Sequence, residues 1–311
     1  MSSIAVLGSL NLDLVVTMGA FPEPGETVEA RALQRFPGGK GANQAVACGR
    51  LGQATTMYGA VGDDGFEGPI LASLASSGVN TDDIRRCPDV STGTASIWVD
   101  DRGENAIAIV AGANGRVDAS YVDTIRDALA RADWLLLQLE IPLAAMAHAL
   151  EILPRDGPQV ILDPAPVRDV SDLPLARVRL LTPNRGELRS LTGQPTDTPD
   201  RIERACRALR ELARGADVVC KAGADGAYVL TRDRFEHVPG FGVGAVDTTA
   251  AGDAFNGGLA AALGEGRPMT DAVRHANAAG ALAATKPGAQ PSMPTQAEVR
   301  SVLTPTERGA T

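Results

Sequence analysis

Asp253 follows Ala250, Ala251 and Gly252 within the stretch DTTAAGDAFNGG, residues 247–258. Three small residues leave the unpaired N–H groups of a helix start open to close approach, and the helix dipole favours an anion there. A carboxylate in the first turn then stands beside any hydroxyl brought up to attack that anion, which is the place of a general base. The simpler use of Asp247 or Asp253 is as a helix cap, which accounts for one acid but not for the run of small residues.

Other polar residues fall where strands should end. In an open parallel sheet, ligands bind at the carboxyl ends of the strands. Asn11 and Asp13 follow the first apolar run, Glu140 ends WLLLQLE, and Asn184 ends VRLLTPN with Glu187 three residues on. Three such ends suggest a shared cleft. PGGKGANQ adds Gly38, Gly39, Lys40 and Asn43 at a helix start, but Gly41 after Lys40 excludes a Walker A loop. Taken alone, GGK reads as a turn with a solvated charge, and KAGADG (221–226) as an ordinary turn after a strand.

The elements that must position these residues alternate. IAVLGSL (4–10), WLLLQLE (134–140), QVILDPA (159–165), VRLLTPN (178–184) and DVVCKAG (217–223) are continuous apolar runs of the kind buried on both sheet faces. Between them NQAVACGRLG, ASYVDTIRDALARA, DRIERACRALRELARG and DAVRHANAAGALAAT have helical character. The predicted fold is α/β, a doubly wound, mostly parallel sheet flanked by helices. TGTASIWVDD and ENAIAIVAG, with LDLVVTM…ETVEARALQRF, predict a small inserted β-sheet lid with strands at about 13–36 and 91–111. Ile97, Val99, Ile107 and Ile109 alternate to give it one apolar face, and Trp98 is either a lid packing residue or a core aromatic. Residues 1–304 read as one domain and 305–311 as a loose tail.

Composition limits the rest. The 311 residues are 44% hydrophobic and 22% charged, with a net charge of −9, which offers no basic face for nucleic acid. Cys48, Cys87, Cys206 and Cys220 have no CxxC spacing, and His148, His237 and His275 lack metal-ligand spacing. There is neither a signal-like N-terminus nor a membrane-length apolar run, so the expected setting is the cytoplasm.

GGKGANQA with Gly52 and Gly62, followed by DTTAAGDAFNGG, resembles the paired signatures of the PfkB carbohydrate kinases. The likeness is strongest to the ribokinase branch and extends through FPEPGET, STGTA, QLE, TPN and GAQPS. The resemblance implies ATP-dependent phosphorylation of D-ribose at its 5-hydroxyl, with Asp253 as base and Ala250, Ala251 and Gly252 forming the anion hole. It places Asn11, Asp13, Gly39, Lys40, Asn43, Glu140 and Asp253 around the sugar, and Asn184 and Glu187 near Mg²⁺ and the phosphates. Lys221, Ala222, Gly223, Ala224, Asp225, Gly226, Gly252 and Asn277 would border the nucleotide. A K⁺ ion would be held at Asp247, Thr249, Ala283, Lys286, Gly288 and Ser292, and a homodimer would form through interlocking lids. Arg185 departs from the family's frequent Glu. Deoxyribose, fructose or adenosine remain alternative acceptors, and a sugar sensor without chemistry is a reading of another class. Lys40, Glu140 and an aromatic content of 4% favour a small polar sugar over a nucleoside.

Overall fold

The structure, a computed structural model, describes residues 2–304, so the tail at 305–311 lies outside the described residues. The strands are β1 (Ser3–Leu7), β2 (Asn11–Thr17), β3 (Ala32–Gly38), β4 (Ala54–Tyr58), β5 (Ala60–Val61), β6 (Val79–Asn80), β7 (Arg85–Arg86), β8 (Gly93–Val99), β9 (Asn105–Val110), β10 (Trp134–Gln138), β11 (Gln159–Asp163), β12 (Leu180–Leu181), β13 (Asp217–Lys221), β14 (Ala227–Leu230) and β15 (Phe235–Val238). Nine of them form one sheet in the order β15-β14-β13-β12-β11-β10-β1-β4-β6. All its pairings are parallel except the two that add β14 and β15 at one edge.

Continuous apolar strands make this sheet a three-layer sandwich. Leu135, Leu136 and Leu137 are all 0% exposed, yet Leu135 and Leu137 join one hydrophobic cluster and Leu136 the other. The period-two alternation of a strand sends neighbours to opposite faces, and here both faces are covered. Helices Ala119–Arg131, Leu143–Ile152, Arg185–Thr192 and Pro199–Leu212 supply one layer; Lys40–Arg50, Glu67–Ser76, Ala251–Gly264 and Met269–Ala283 supply the other. Each fully buried Leu contributes roughly 1.5–3 kcal/mol of hydrophobic stabilisation. From β1 the chain builds outward through β4 and β6, then returns to β10 on the other side of β1. That reversal opens a crevice at the carboxyl ends of β1 and β10.

The expected doubly wound sheet is present, with additions the sequence reading lacks. β4 (ATTMY) has two threonines among its five residues, and β14 and β15 are only four residues each, too short for a clear apolar signature. Helices Glu67–Ser76, Leu143–Ile152, Arg185–Thr192 and Gln296–Leu303 add to those expected from the sequence.

The inserted sheet runs β3-β2-β8-β9, with β2 and β8 parallel and both outer pairs antiparallel. Directly opposed residues share a face. Thus Asp13, Ala95 and Ile109 point the same way, as do Val15, Ile97 and Ile107. The apolar stripe therefore continues the face that carries Asp13. Trp98 lies on the opposite face, exposed, with its indole N–H donating to Ser96 Oγ at 3.1 Å. Among the described residues no helix is long and apolar enough to cross a membrane.

Candidate active site

Helix Ala251–Gly264 starts on a strained residue. Ala250 has φ of 59°, a left-handed conformation that disfavours a Cβ by roughly 1–2 kcal/mol and persists where the surroundings hold it. The first i→i−4 bond of this helix is Ala254 N–H to Ala250 C=O, so the N–H groups of Gly252 and Asp253 precede it. Asp253 does not cap the helix, because no side chain accepts there. Its carboxylate is turned toward helix Lys40–Arg50, where Asn43 Nδ2 donates to Oδ2 at 2.9 Å and Gln44 Nε2 to Oδ1 at 3.1 Å. Gly257 permits that approach: a Cβ on it would lie 2.4 Å from the Ala47 Cβ, so the two helices meet there with only the Ala47 methyl between them. Burial pushes the Asp253 carboxyl above its ordinary range, while Lys40 and the two amides favour its ionised form.

A second layer fixes these groups. Gln44 Nε2 also donates to Asp163 Oδ2 at 3.1 Å, Gln138 Nε2 donates to Gln44 Oε1 at 2.7 Å, and Lys221 Nζ reaches Asp163 Oδ1 at 2.8 Å. Asp163 ends β11 and Gln138 ends β10. Asp163, absent from the residues expected from sequence, has the same signal as Glu140, a polar residue at the end of an apolar strand. Gln44, inside a helix, and Gln138, within an apolar run, have no local sequence signal.

Two chambers are linked through Lys40, which lines the first and whose N–H donates at 2.9 Å to Glu140 of the second; Asp253 lines the first. One, of about 300 Å³, is lined by Lys40, Asp163, Asn184, Glu187, Lys221, Thr248, Ala250, Gly252 and Asp253 among others. Burial works against the Lys40 charge, yet Asp253, Asp163, Glu140 and Glu187 outweigh it and raise its pKa. Asn184 and Glu187 form a reciprocal capping box, with Asn184 Oδ1 accepting from Glu187 N–H at 2.8 Å and Glu187 Oε2 accepting from Asn184 N–H at 2.7 Å. Burial raises the Glu187 pKa and Lys221 opposes it.

The other chamber, of about 280 Å³, is lined by Asn11, Asn114, Glu140, Arg168 and the lid residue Ile109, among others. Glu140 Oε2 accepts from Ser9 Oγ at 2.5 Å and from Lys40 N–H at 2.9 Å. Gly39, at φ of 86°, precedes the helix of Lys40, and a Cβ there would strike Asn11 N at 2.8 Å. Asp13 stands apart: none of the hydrogen bonds among the described residues reaches its carboxylate, and burial together with Glu140 and Asp253 pushes its pKa up to about 7.

On the far side of Gly252 lies an apolar cleft of about 320 Å³, lined by Lys221, Gly223, Ala224, Gly226, Phe241, Val243, Gly252, Phe255 and Asn277, among others. Asn277 Nδ2 donates to Val238 and Pro239 carbonyls at 3.0 and 3.1 Å. Ala222 is buried beneath this loop and Asp225 turns away to pair with Arg185 at 2.8 Å, so neither lines the cleft. Arg185 is thus engaged by the 221–226 loop.

Asp247, Thr249 and Gly288 come together, since Asp247 Oδ1 accepts from Thr249 N–H at 2.8 Å and Oδ2 from Gly288 N–H at 2.9 Å. Asp247 N–H donates to Ala284 C=O at 3.2 Å, beside the Ala283–Lys286 turn. Lys286 Nζ bonds Glu298 at 2.6 Å, and Ser292 Oγ donates to Ala289 C=O at 2.7 Å. Among the described residues no group of three or more His, Cys, Asp or Glu is arranged to hold a metal. His148 pairs with Asp123, His237 Nε2 lies 2.6 Å from the Asp225 carbonyl, and His275 Nδ1 lies 3.0 Å from that of Gly258; none lines these chambers.

Residues 1–296 match the family described as pfkB family carbohydrate kinase. The chain is 37% identical over 302 residues to a ribokinase of Haemophilus influenzae, covering 97% of this chain and 98% of that one. It is 38% identical over 292 residues to a deoxyribokinase of Salmonella typhi, covering 94% and 95%. An Arabidopsis thaliana ribokinase solved with ribose and ATP superposes with a TM-score of 0.90 at 32% identity, over 98% of this chain and 99% of the other. Signatures, sheet order and full-length similarity agree, and the chain belongs to the pfkB family of carbohydrate kinases.

Proposed function

We propose that this protein transfers the γ-phosphoryl group of ATP to the 5-hydroxyl of D-ribose. The observation that carries the reading is the Asp253 carboxylate, buried, clamped by two amides, and lining a phosphate-sized chamber that Lys40 links to the chamber of Asn11 and Glu140. Asp253 removes the hydroxyl proton, and the N–H groups at Gly252 hold the charge that develops on the transferring group. Phosphoryl transfer passes through a loose transition state, so positioning and charge carry most of the rate. Asp13, Asn11 and Glu140 offer acceptors and donors to a sugar's hydroxyls, with Gly39, Lys40 and Asn43 closing the pocket. The apolar cleft at Asn277 takes the nucleotide base, with the 221–226 loop beside it.

The oxygen donors of the phosphate chamber fit a small hard cation. Asn184 and Glu187, with Asp163 beside them, would hold Mg²⁺, which would supply positive charge against the phosphates. The turn around Asp247 offers a carboxylate amid backbone carbonyls, which fits K⁺ held at Asp247, Thr249, Ala283, Lys286, Gly288 and Ser292. We expect K⁺ to raise the rate where Na⁺ does not; equal rates at constant ionic strength and Mg²⁺ refute this. We read residues 1–304 as one kinase unit with the lid inserted, acting in the cytoplasm, where its four buried free thiols stay reduced. Because a deoxyribokinase is as similar as the ribokinases, the deciding experiment is ADP release across ribose, 2-deoxyribose, fructose and adenosine. Higher kcat/KM on any of the others displaces ribose, and no turnover on all four refutes the assignment.

A further inference from the structure

We propose that Asn114 is a positioning residue that locks the Asn11 amide with its nitrogen toward the sugar chamber, so that Asn11 meets a sugar hydroxyl as a donor. The argument rests on the reading of that chamber as the sugar site. Asn114 is buried in the turn after β9, and its Oδ1 accepts from Leu10 N–H at 2.9 Å while its Nδ2 donates to Leu10 C=O at 3.2 Å. A backbone N–H cannot accept and a carbonyl cannot donate, so this amide has a single orientation. Its second Nδ2 proton goes to Asn11 Oδ1 at 2.7 Å, which commits the Asn11 oxygen and leaves the Asn11 nitrogen for the chamber that both residues line.

Gly93 seals the pair. It lies opposite Asn11 in the β2–β8 register, and a Cβ there would sit 2.2 Å from Asn114 Nδ2 and 2.3 Å from Asn11 Oδ1. The glycine of STGTA and the asparagine of AGANG thus meet at the root of the lid, one entering β8 and the other following β9. The chemistry gives the orientation its value. Asp13, two residues along the same face of β2, can accept but cannot donate once it is ionised. A hydroxyl has one proton, so one that donates to Asp13 must accept from its other neighbour. An Asn11 turned oxygen-outward sets that hydroxyl between two acceptors and leaves one of them unpaired.

The test is a double-mutant cycle over Asn11→Ala, Asn114→Ala and the double variant, with KM for ribose and for ATP and kcat measured separately, and melting temperatures recorded. Asn114→Ala should raise the ribose KM roughly tenfold or more, with kcat within about threefold and the ATP KM unchanged. In the Asn11→Ala background the same change should add less than about twofold. An equal effect in both backgrounds, or parallel losses for ribose and ATP, overturns the proposal in favour of a purely structural role. Asn114→Asp preserves size but offers no donor when ionised, so it should match Asn114→Ala; a wild-type ribose KM there overturns the proposal as well. Ribose turnover by the unaltered enzyme tests the underlying reading first, so the two failures are distinguishable.

Discussion

On the floor of the cleft Asp253 is 4% exposed and each of its oxygens is met by an amide nitrogen, whereas in the lid Ile107 and Ile109 stand 55% and 61% exposed. Asp13 belongs to the lid in this respect, since its carboxylate has no hydrogen-bond partner among the described residues and an elevated pKa. Groups that must be oriented during the chemistry are satisfied before any ligand arrives. Groups that recognise a ligand or a second chain retain unmet valences and uncovered area, which binding then satisfies.

Breaking the floor should have the largest effect. Asp253→Asn keeps the size of the side chain and removes the proposed base, so kcat should fall by about 10²- to 10⁴-fold while ribose and ATP affinities stay near wild type. Calorimetry with each ligand and a steady-state assay decide it. Turnover above a tenth of wild type removes Asp253 from the role of base.

Breaking the lid should act on assembly. A two-fold contact between the lid faces of two chains would cover Val15, Ile97 and Ile107 beyond the sugar chamber, and we infer a homodimer built that way. A buried Asp at that contact is unpaired, so Ile107→Asp should weaken the dimer by at least about 2 kcal/mol, roughly 30-fold in dissociation constant. Sedimentation velocity at micromolar concentration reads this out. A wild-type monomer rules out the dimer, and an intact Ile107→Asp dimer moves the interface elsewhere.

How much of this contrast was legible in the sequence follows from how local each signal is. Asp253 with its small neighbours, the polar residues Asn11 and Glu140 that follow the apolar runs of β1 and β10, and the alternating lid residues announce themselves within a dozen positions. The partners that orient them do not. Asn43 and Asp253 are 210 positions apart, Gln44 and Asp163 119, Asn114 and Asn11 103. Buried amides such as Gln138 look like interruptions of an apolar run until the fold brings their acceptors near. Asp225 shows the converse: it sits in the loop assigned to the nucleotide, but its side chain turns to Arg185.

Asp13 makes the contrast measurable by pH. Its folded pKa near 7 lies above the ordinary 3.8, so ionisation disfavours the folded, unliganded state. The stability penalty is absent at low pH and grows as pH rises from about 4 through 7. Asp13→Asn should therefore gain on wild type by about 1–3 kcal/mol between pH 5 and pH 8, read as a growing difference in melting temperature. Ribose, which pairs best with the ionised carboxylate, should bind wild type more tightly as pH rises through 7. A stability difference that is flat with pH contradicts the unmet charge assigned to Asp13.

The smallest effect is expected at Arg185, where the family often has Glu. Its guanidinium pairs with Asp225 at 2.8 Å, and both side chains are well exposed, which limits such a pair to about 0–1 kcal/mol. Because the charge is drawn toward the 221–226 loop, it should perturb the Mg²⁺ we propose near Glu187 only weakly. Arg185→Glu places a second acid beside Glu187 and sets it against Asp225, so the loop loses its tie while the metal gains a donor at longer range. The two consequences oppose each other. The expected result is a change of less than about threefold in kcat, with a shift in the Mg²⁺ concentration giving half-maximal rate of similar size. A Mg²⁺ titration at fixed ATP compares the two enzymes. A tenfold loss of kcat on Arg185→Glu, restored by Asp225→Arg on the same chain, would instead make the ion pair part of the machinery that holds the nucleotide.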